Sequence, residues 1–160
     1  MNRRTVLGVC GVVATTGCLS HDVLGSGPIT NRDLTAYDSG SEFYNAAPGL
    51  REPPKVTFKL KKSSVLITGK LYVGSSSCNK AALKHVAYDT SADTLRVTIG
   101  SGEQQQSGNA CTADESADAY RARITFADQL PATVEATENG SMGDIKTTAQ
   151  NPHSSTSTSS

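Results

Sequence analysis

Apolar and polar residues alternate along most of the chain between residues 55 and 149. In the clearest example Val56, Phe58 and Leu60 are separated by polar neighbours, and residues 65–73 repeat the pattern. A period of two places every second side chain on the same face of a strand, so that one face is buried and the other solvated. No stretch has the spacing of an amphipathic helix. The pattern therefore predicts an all-β domain.

Turn residues divide this region into short strands. Besides the two segments above, the candidate strands are 83–88, 95–99, 120–126 and 133–137, and we expect Gly69 to mark a bulge in the second strand. Six to seven short strands with such punctuation predict a small antiparallel β-sandwich (Ig-like) or a barrel, with one disulfide.

The segments on either side differ in composition. Residues 18–54 are rich in Ser, Gly, Asn, Asp and Pro and have no sustained period, so we expect a flexible tether in which 42–47 could form a helical turn. Residues 150–160 run into a Ser/Thr-rich sequence, which predicts a disordered tail. The folded domain is accordingly expected at 55–149.

The first seventeen residues have the layout of an export signal. Arg3 and Arg4 precede an apolar run that is too short for the roughly 20 residues of a membrane span, and small residues follow it. This order predicts a removable signal peptide at 1–17. The paired arginines resemble a twin-arginine (Tat) export signal. A short buried helix is the alternative, but the glycines and threonines of this segment are poor helix formers.

Cys18 follows a Thr-Thr-Gly sequence that resembles a lipoprotein cleavage box, although Thr15 occupies a position where Leu is usual. We expect Cys18 to be the first residue of the mature protein and the site of lipidation. The protein would then be extracytoplasmic and anchored to the cell membrane by lipid.

Two cysteines remain once Cys10 leaves with the signal and Cys18 takes the lipid: Cys78 and Cys111. In an oxidising compartment such a pair predicts one disulfide. A redox pair would more often be spaced Cys-x-x-Cys. A zinc site would need four Cys or His ligands in close groups, and His85 is the histidine nearest to these cysteines in the sequence. Both alternatives stay open at this point.

Short motifs between residues 64 and 137 occur in a fixed order: Ile67-Thr-Gly69, Cys78, Tyr88-Asp89, Asp93-Thr-Leu95, Ala110-Cys111-Thr112, Tyr120-Arg-Ala122 and Leu130-Pro131. Together with the paired arginines and the Gly-Cys box, they resemble a family of surface lipoproteins of halophilic archaea. The resemblance implies a compact β domain with a bridge between its two cysteines. It implies no activity and no cofactor.

Histidine is the usual general base at neutral pH, and the chain has three, His21, His85 and His153. The first and last lie outside the expected domain, and His85 has no acidic neighbour in sequence. The sequence contains no Gly-x-Ser-x-Gly elbow and no phosphate-binding glycine loop. We therefore expect no catalytic residues, no cofactor and no enzyme.

Acidic side chains crowd the stretch after Cys111, where Asp114, Glu115 and Asp118 could offer oxygen ligands to Ca²⁺. The spacing of a calcium-binding loop is absent, which favours a solvated acidic loop without metal.

Lys59, Lys61 and Lys62 form the basic cluster of the sequence. Such lysines are typical of an exposed or edge strand. At zero net charge they favour that role over contact with lipid headgroups or nucleic acid. Asn139-Gly-Ser is a candidate glycosylation site, and Asn-Gly is also a good hairpin turn.

The first function hypothesis is a non-enzymatic binding or envelope-support module that recognises an unknown protein or ligand at the cell surface. Loops 74–77 and 100–118 would form the recognition surface. The alternative is a small surface hydrolase or protease inhibitor on the same scaffold. For a hydrolase, we expect His85 to lie beside a serine and a carboxylate in a pocket.

Overall fold

The computed structural model describes residues 28–104 and 110–154. Within these ranges two four-stranded sheets pack face to face around an apolar core. The strands are β1 (Ile29–Tyr37), β2 (Lys55–Lys59), β3 (Ser64–Gly74), β4 (Asn79–Asp89), β5 (Thr94–Glu103), β6 (Ser116–Phe126), β7 (Thr133–Gly140) and β8 (Gly143–Gln150). The predicted β-sandwich is confirmed, with eight described strands instead of six to seven.

The first sheet has the strand order β1-β6-β3-β2 and is antiparallel throughout. The second sheet has the order β4-β5-β7-β8, and its central pair, β5 and β7, is parallel. The chain crosses from β5 to the first sheet, forms β6 there, and returns as β7. Because this crossover replaces a hairpin, the expectation of a purely antiparallel fold was wrong for this one pair.

The core consists of the inward-facing residues of the strands predicted from alternation. In β3, Val65, Ile67, Leu71 and Val73 point inward and are buried, while their neighbours face outward. Burying each large aliphatic side chain stabilises the fold by about 1.5–3 kcal/mol. From the other central strands the core receives Leu95, Val97, Ile99, Tyr120, Ala122, Ile124, Phe126, Val134 and Ala136.

The segment predicted as a tether contains β1, so that prediction was wrong for residues 29–37. β1 pairs antiparallel with β6, with Leu34 opposite Ala122. Its inward side chains, Leu34 and Ala36, pack against the core, while most of its other residues are exposed. The apolar residues of β1 are unevenly spaced, at Ile29, Leu34, Ala36 and Tyr37, and so give a weak period. An edge strand is held by its hydrogen-bond ladder as much as by burial, so it does not need a regular one.

The predicted helical turn is confirmed as α1, Glu42–Ala46. Ser41 caps it, since its hydroxyl accepts a hydrogen bond from the Tyr44 backbone N–H at 3.1 Å. The guanidinium of Arg121 lies 4.4 Å from the Phe43 ring centroid, and Lys70 Nζ lies 4.0 Å from that of Tyr44. These cation–π contacts attach α1 to the outer face of the first sheet. The folded domain therefore includes residues 28–54 and does not begin at 55.

At the other terminus, the boundary at residue 149 was also too narrow. Gln150 pairs with Thr133, and Asn151 is buried. The Asn151 backbone N–H donates to the Ala132 carbonyl at 2.8 Å, and its side-chain amide donates to Pro131 at 3.2 Å. The domain thus includes residues 150–154, and 155–160 lie outside the described residues.

Two local predictions were also wrong. Gly69 marks no bulge, because the ladder between β3 and β6 is regular there and places Gly69 opposite Tyr120. The hairpin between β7 and β8 turns at residues 141–142 and not at Asn139-Gly140, since Gly140 pairs with Gly143. Gly143 has φ +106°, a conformation that glycine adopts without strain.

The sandwich has two ends, which we call proximal and distal. The proximal end contains the start of the described chain, where the Ala127 backbone N–H donates to the Pro28 carbonyl at 2.7 Å. The distal end contains Cys78 and Cys111. At about 3.3 Å per residue, the eleven residues of β6 separate the ends by roughly 35 Å. No helix within the described ranges is long and apolar enough to cross a bilayer.

Candidate recognition site at the distal end

A disulfide joins Cys78 to Cys111 with a Cα–Cα distance of 5.5 Å, as the cysteine count predicts. Cys78 ends the connection between β3 and β4, and Cys111 lies in the connection before β6. The bond therefore fixes two loops that are 33 residues apart in sequence. It also leaves no thiolate at either position for a zinc ion.

Three hydroxyl groups cluster beside the disulfide. The side-chain oxygens of Ser75, Ser77 and Thr112 lie 3.0–3.1 Å from one another. The Thr112 backbone N–H also donates to the Ser77 hydroxyl at 2.9 Å. The two loops are thus held together by hydrogen bonds as well as by the covalent bond.

Asp114 completes this cluster. Its carboxylate accepts hydrogen bonds from the Ser76 backbone N–H, at 3.2 Å to Oδ1, and from the Thr112 hydroxyl. Hydrogen bonds from Ser76 and Thr112 lower the pKa of Asp114, because they stabilise the charged form. The loops therefore carry a fixed negative charge at neutral pH.

A third segment contacts these loops. The Ser141 hydroxyl, in the turn between β7 and β8, donates to Glu115 Oε1 at 2.7 Å. We call residues 75–78, 111–115 and Ser141 the distal loop cluster. Loops 74–77 and 100–118 thus do lie together, but the ends of the second predicted loop are strands, and 105–109 lie outside the described residues.

Asp118 does not belong to an acidic loop, so that prediction was wrong for this residue. It points inward from β6, is 2% exposed and accepts a hydrogen bond from the Ala81 backbone N–H at 2.9 Å. Burial raises the pKa of Asp118, although Lys80 Nζ lies 3.8 Å away and opposes the shift. Among the described residues, no three His, Cys, Asp or Glu side chains are placed to hold a metal ion.

A second buried carboxylate, Glu138, was missed in the sequence. It is 1% exposed, and its Oε1 accepts a hydrogen bond from the Tyr120 hydroxyl at 2.7 Å. Burial raises the pKa of Glu138 to about 7. The cavity beside it, next to Leu71 and Met142, measures about 20 Å³, room for roughly one water molecule. Residues 134, 136 and 138 alternate along one strand and share its inward face, and this alternation could have identified Glu138 as buried.

The two histidines of the described ranges, His85 and His153, are not arranged as a catalytic site. His85 is exposed on the outer face of the second sheet, in an open depression with Thr98 and Glu135. Glu135 binds Arg96 at 2.9 Å, and no serine lines the depression. His153 lies at the proximal end, where hydrogen bonds within the described ranges involve its backbone but not its imidazole.

The remaining candidates lie apart from the distal loop cluster or outside the described residues. Asn139 is exposed in β7, and its side-chain amide donates to Asp144 Oδ1 at 2.8 Å. β2, which ends at Lys59, is an edge strand, as its lysines predict. The predicted signal peptide at 1–17, the predicted lipidation site Cys18, and His21 lie outside the described residues. Comparison of the chain with protein-family models, curated proteins and solved structures finds no match.

Proposed function

We propose that this chain is an exported lipoprotein, anchored through Cys18, whose distal loop cluster binds a partner at the cell surface without catalysis. The observation that carries the proposal is that Pro28, ten residues after Cys18, lies at one end of the sandwich while the disulfide-linked loops lie at the other. The likeness to haloarchaeal surface lipoproteins and the Tat-like signal support the same proposal.

The separation of the two ends would orient the domain. Nine residues lie between Cys18 and Pro28, which limits their reach to roughly 35 Å. A lipid on Cys18 would therefore hold the proximal end near the bilayer. The distal loop cluster, about 35 Å further along β6, would face away from the membrane.

The chemistry of the distal loop cluster suits a polar ligand. It presents the hydroxyls of Ser75, Ser77 and Thr112 and the carboxylate of Asp114, with no aromatic side chain. The disulfide and the Asp114 hydrogen bonds hold these groups in place before binding, which lowers the entropy cost of association. A ligand with several hydrogen-bond donors, or with a positive charge, fits this surface.

Two experiments test the proposal. Replacing Cys18 with Ser should release the protein from the membrane fraction or leave the precursor uncleaved, and unchanged processing and association would contradict the anchor. Partner capture from native membranes should compare the parent with Asp114→Asn and with Asp128→Asn, a matched change at the proximal end. A partner lost with the first variant and kept with the second supports recognition by the distal loop cluster. Equal capture by both variants contradicts it.

The hydrolase alternative depended on the surroundings of His85. That residue lies on an open sheet face with Thr98 and the Arg96–Glu135 ion pair, not in a pocket with a serine. No observation in the described residues favours the alternative, and the proposal therefore remains a non-enzymatic one.

A further inference from the structure

We propose that the end of β2 and the turn that follows it, residues Lys59–Lys62, form a second membrane contact that binds an anionic lipid surface. We call these four residues the basic turn. The proposal rests on the proposed lipid anchor for its orientation, but the binding itself does not require the lipid.

The basic turn lies at the end of the sandwich where the described chain begins. It is followed by Ser63, whose carbonyl accepts a hydrogen bond from the Phe126 backbone N–H at 2.8 Å. Ala127, which follows Phe126, donates its backbone N–H to the Pro28 carbonyl at 2.7 Å. The turn and the start of the chain are thus held by adjacent residues of one segment. A lipid on Cys18 would bring the basic turn to the membrane surface.

The turn exposes an apolar side chain among positive charges. Leu60 is 49% exposed, and the other exposed large apolar residue of the described ranges, Met142, lies at the distal end. Lys59, Lys61 and Lys62 are exposed, and none forms an ion pair within the described part of the chain.

This combination matches the chemistry of a membrane surface. An exposed leucine gains free energy by entering the boundary between headgroups and acyl chains. Lysines can keep their ammonium groups at the level of the phosphates while their stems lie along apolar surface. Nucleic acid would use the positive charges but not Leu60, and the chain has zero net charge. The lipid surface therefore accounts for both features of the turn.

Acidic residues at the same end restrict the orientation. Asp93 and Asp128 share a surface depression with Leu60, and Asp93 accepts a hydrogen bond from the Tyr88 hydroxyl at 2.5 Å. Asp93 belongs to the connection between β4 and β5, and Asp128 follows β6, so neither lies on the basic turn itself. An anionic surface would attract the lysines of the basic turn, at the β2 corner of the proximal end, and repel the carboxylates of Asp93 and Asp128. The domain should therefore sit tilted, with the β2 corner towards the lipid.

The test uses the mature chain with Cys18→Ser, mixed with vesicles of phosphatidylcholine alone or with added phosphatidylglycerol and then sedimented. We expect binding to the anionic vesicles that falls with rising salt. At about 1 kcal/mol for each lysine near the surface, or about fivefold, Lys61→Gln with Lys62→Gln should weaken binding about 25-fold. Leu60→Ser should also weaken it. The control, Lys55→Gln with Lys146→Gln, makes the same charge change away from the turn.

Three results would overturn the proposal: no binding of the parent to anionic vesicles, equal loss in the control, or no effect of Leu60→Ser. Circular dichroism melts of each variant separate loss of binding from loss of folding. The anchor is tested separately by the membrane fractionation of Cys18→Ser. A failure of vesicle binding with an intact Cys18 anchor would therefore contradict only the membrane contact of the basic turn. A failure of the anchor with intact vesicle binding would contradict only the lipidation of Cys18.

Discussion

The Tyr120 hydroxyl donates a hydrogen bond to Glu138 Oε1 at 2.7 Å and so links the two sheets across the core. Gly69 lies opposite Tyr120 in the neighbouring strand and leaves room for this pair. A Cβ atom at position 69 would lie 2.0 Å from Glu138 Oε1 and 2.6 Å from the Tyr120 hydroxyl oxygen. The glycine in the middle of β3 is therefore required for space.

Replacing Gly69 with Ala should destabilise the domain by about 1–3 kcal/mol, because the added methyl group overlaps a buried hydrogen-bonded pair. Urea denaturation measures the change. Gly140→Ala is the matched control, since a Cβ there meets its nearest atom at 3.5 Å, an ordinary contact. Equal free energies of unfolding of the two variants would show that the Tyr120 and Glu138 side chains can move aside without destabilising the domain.

Burial of Glu138 should make folding sensitive to pH. Burial raises its pKa to about 7 in the folded state, whereas the ordinary value is 4.5. Between these values the folded state binds more protons than the unfolded chain, so stability falls as pH rises. The contribution is fully present below about pH 4.5 and is lost as pH rises through 7. Its size is at most about 3 kcal/mol.

Glu138→Gln should remove most of this dependence, because the amide stays neutral and its oxygen can still accept from Tyr120. We expect the variant to exceed the parent in stability at pH 8 and to differ little at pH 5. Asp118, whose pKa burial also raises, should leave a residual slope of the same sign. Glu103→Gln, a control at an exposed position without an ion pair in the described part of the chain, should keep the full slope. Parallel pH profiles for parent and Glu138→Gln would contradict the assignment.

The central strands could be predicted because their inward positions are almost all apolar. β3 illustrates this, with Val65, Ile67, Leu71 and Val73 at alternate positions around Gly69. β1 and β8 are edge strands, and a sequence with few apolar residues, such as Thr147-Thr148-Ala149, is enough to form a strand at an edge. Such strands depend on a neighbour's hydrogen-bonding edge, which a local period cannot reveal.

Some features of the candidate site could also be predicted from the sequence, and others could not. The bond between Cys78 and Cys111 follows from counting cysteines and assigning a compartment. The hydrogen bond from Ser76 to Asp114 spans 38 residues and depends on how the two loops approach each other. Asp118 resembled its acidic neighbours in sequence, yet the strand phase of β6 turns it into the core. Composition identified the loops, and the register decided which side chains they present.

β1 gives a direct test of the domain boundary. Removing residues 19–40 should destabilise the domain strongly, because β6 would lose the partner that pairs with it along eight residue positions. It would also expose a long hydrogen-bonding edge, which favours aggregation. Limited proteolysis of the mature protein should leave a resistant core that contains β1. A stable, soluble fragment that begins at residue 55 would show that β1 is dispensable.

The disulfide gives the last test. Closing a loop of 33 residues stabilises the fold by about 3–4 kcal/mol through the entropy of the unfolded chain. Replacing both Cys78 and Cys111 with Ser should therefore lower the melting temperature by well over ten degrees. The hydrogen bonds that join Ser77 to Thr112 and Thr112 to Asp114 do not involve sulfur, so they should still favour the paired arrangement of the loops at low temperature. The weaker contact from the Ser77 hydroxyl to Cys78 Sγ, at 3.8 Å, changes with the substitution.

Adding Asp114→Ala to the two serine replacements should then free the loops, which hydrogen exchange at the Thr112 N–H, whose acceptor is the Ser77 hydroxyl, would detect. Asp114→Ala in the oxidised protein is the control, because the bond still limits how far the loops can separate. A thiol assay on the exported parent should find neither cysteine free. Free thiols at both positions would revive the redox and metal-binding alternatives, and a double serine variant that melts like the parent would show that the bond contributes little to stability.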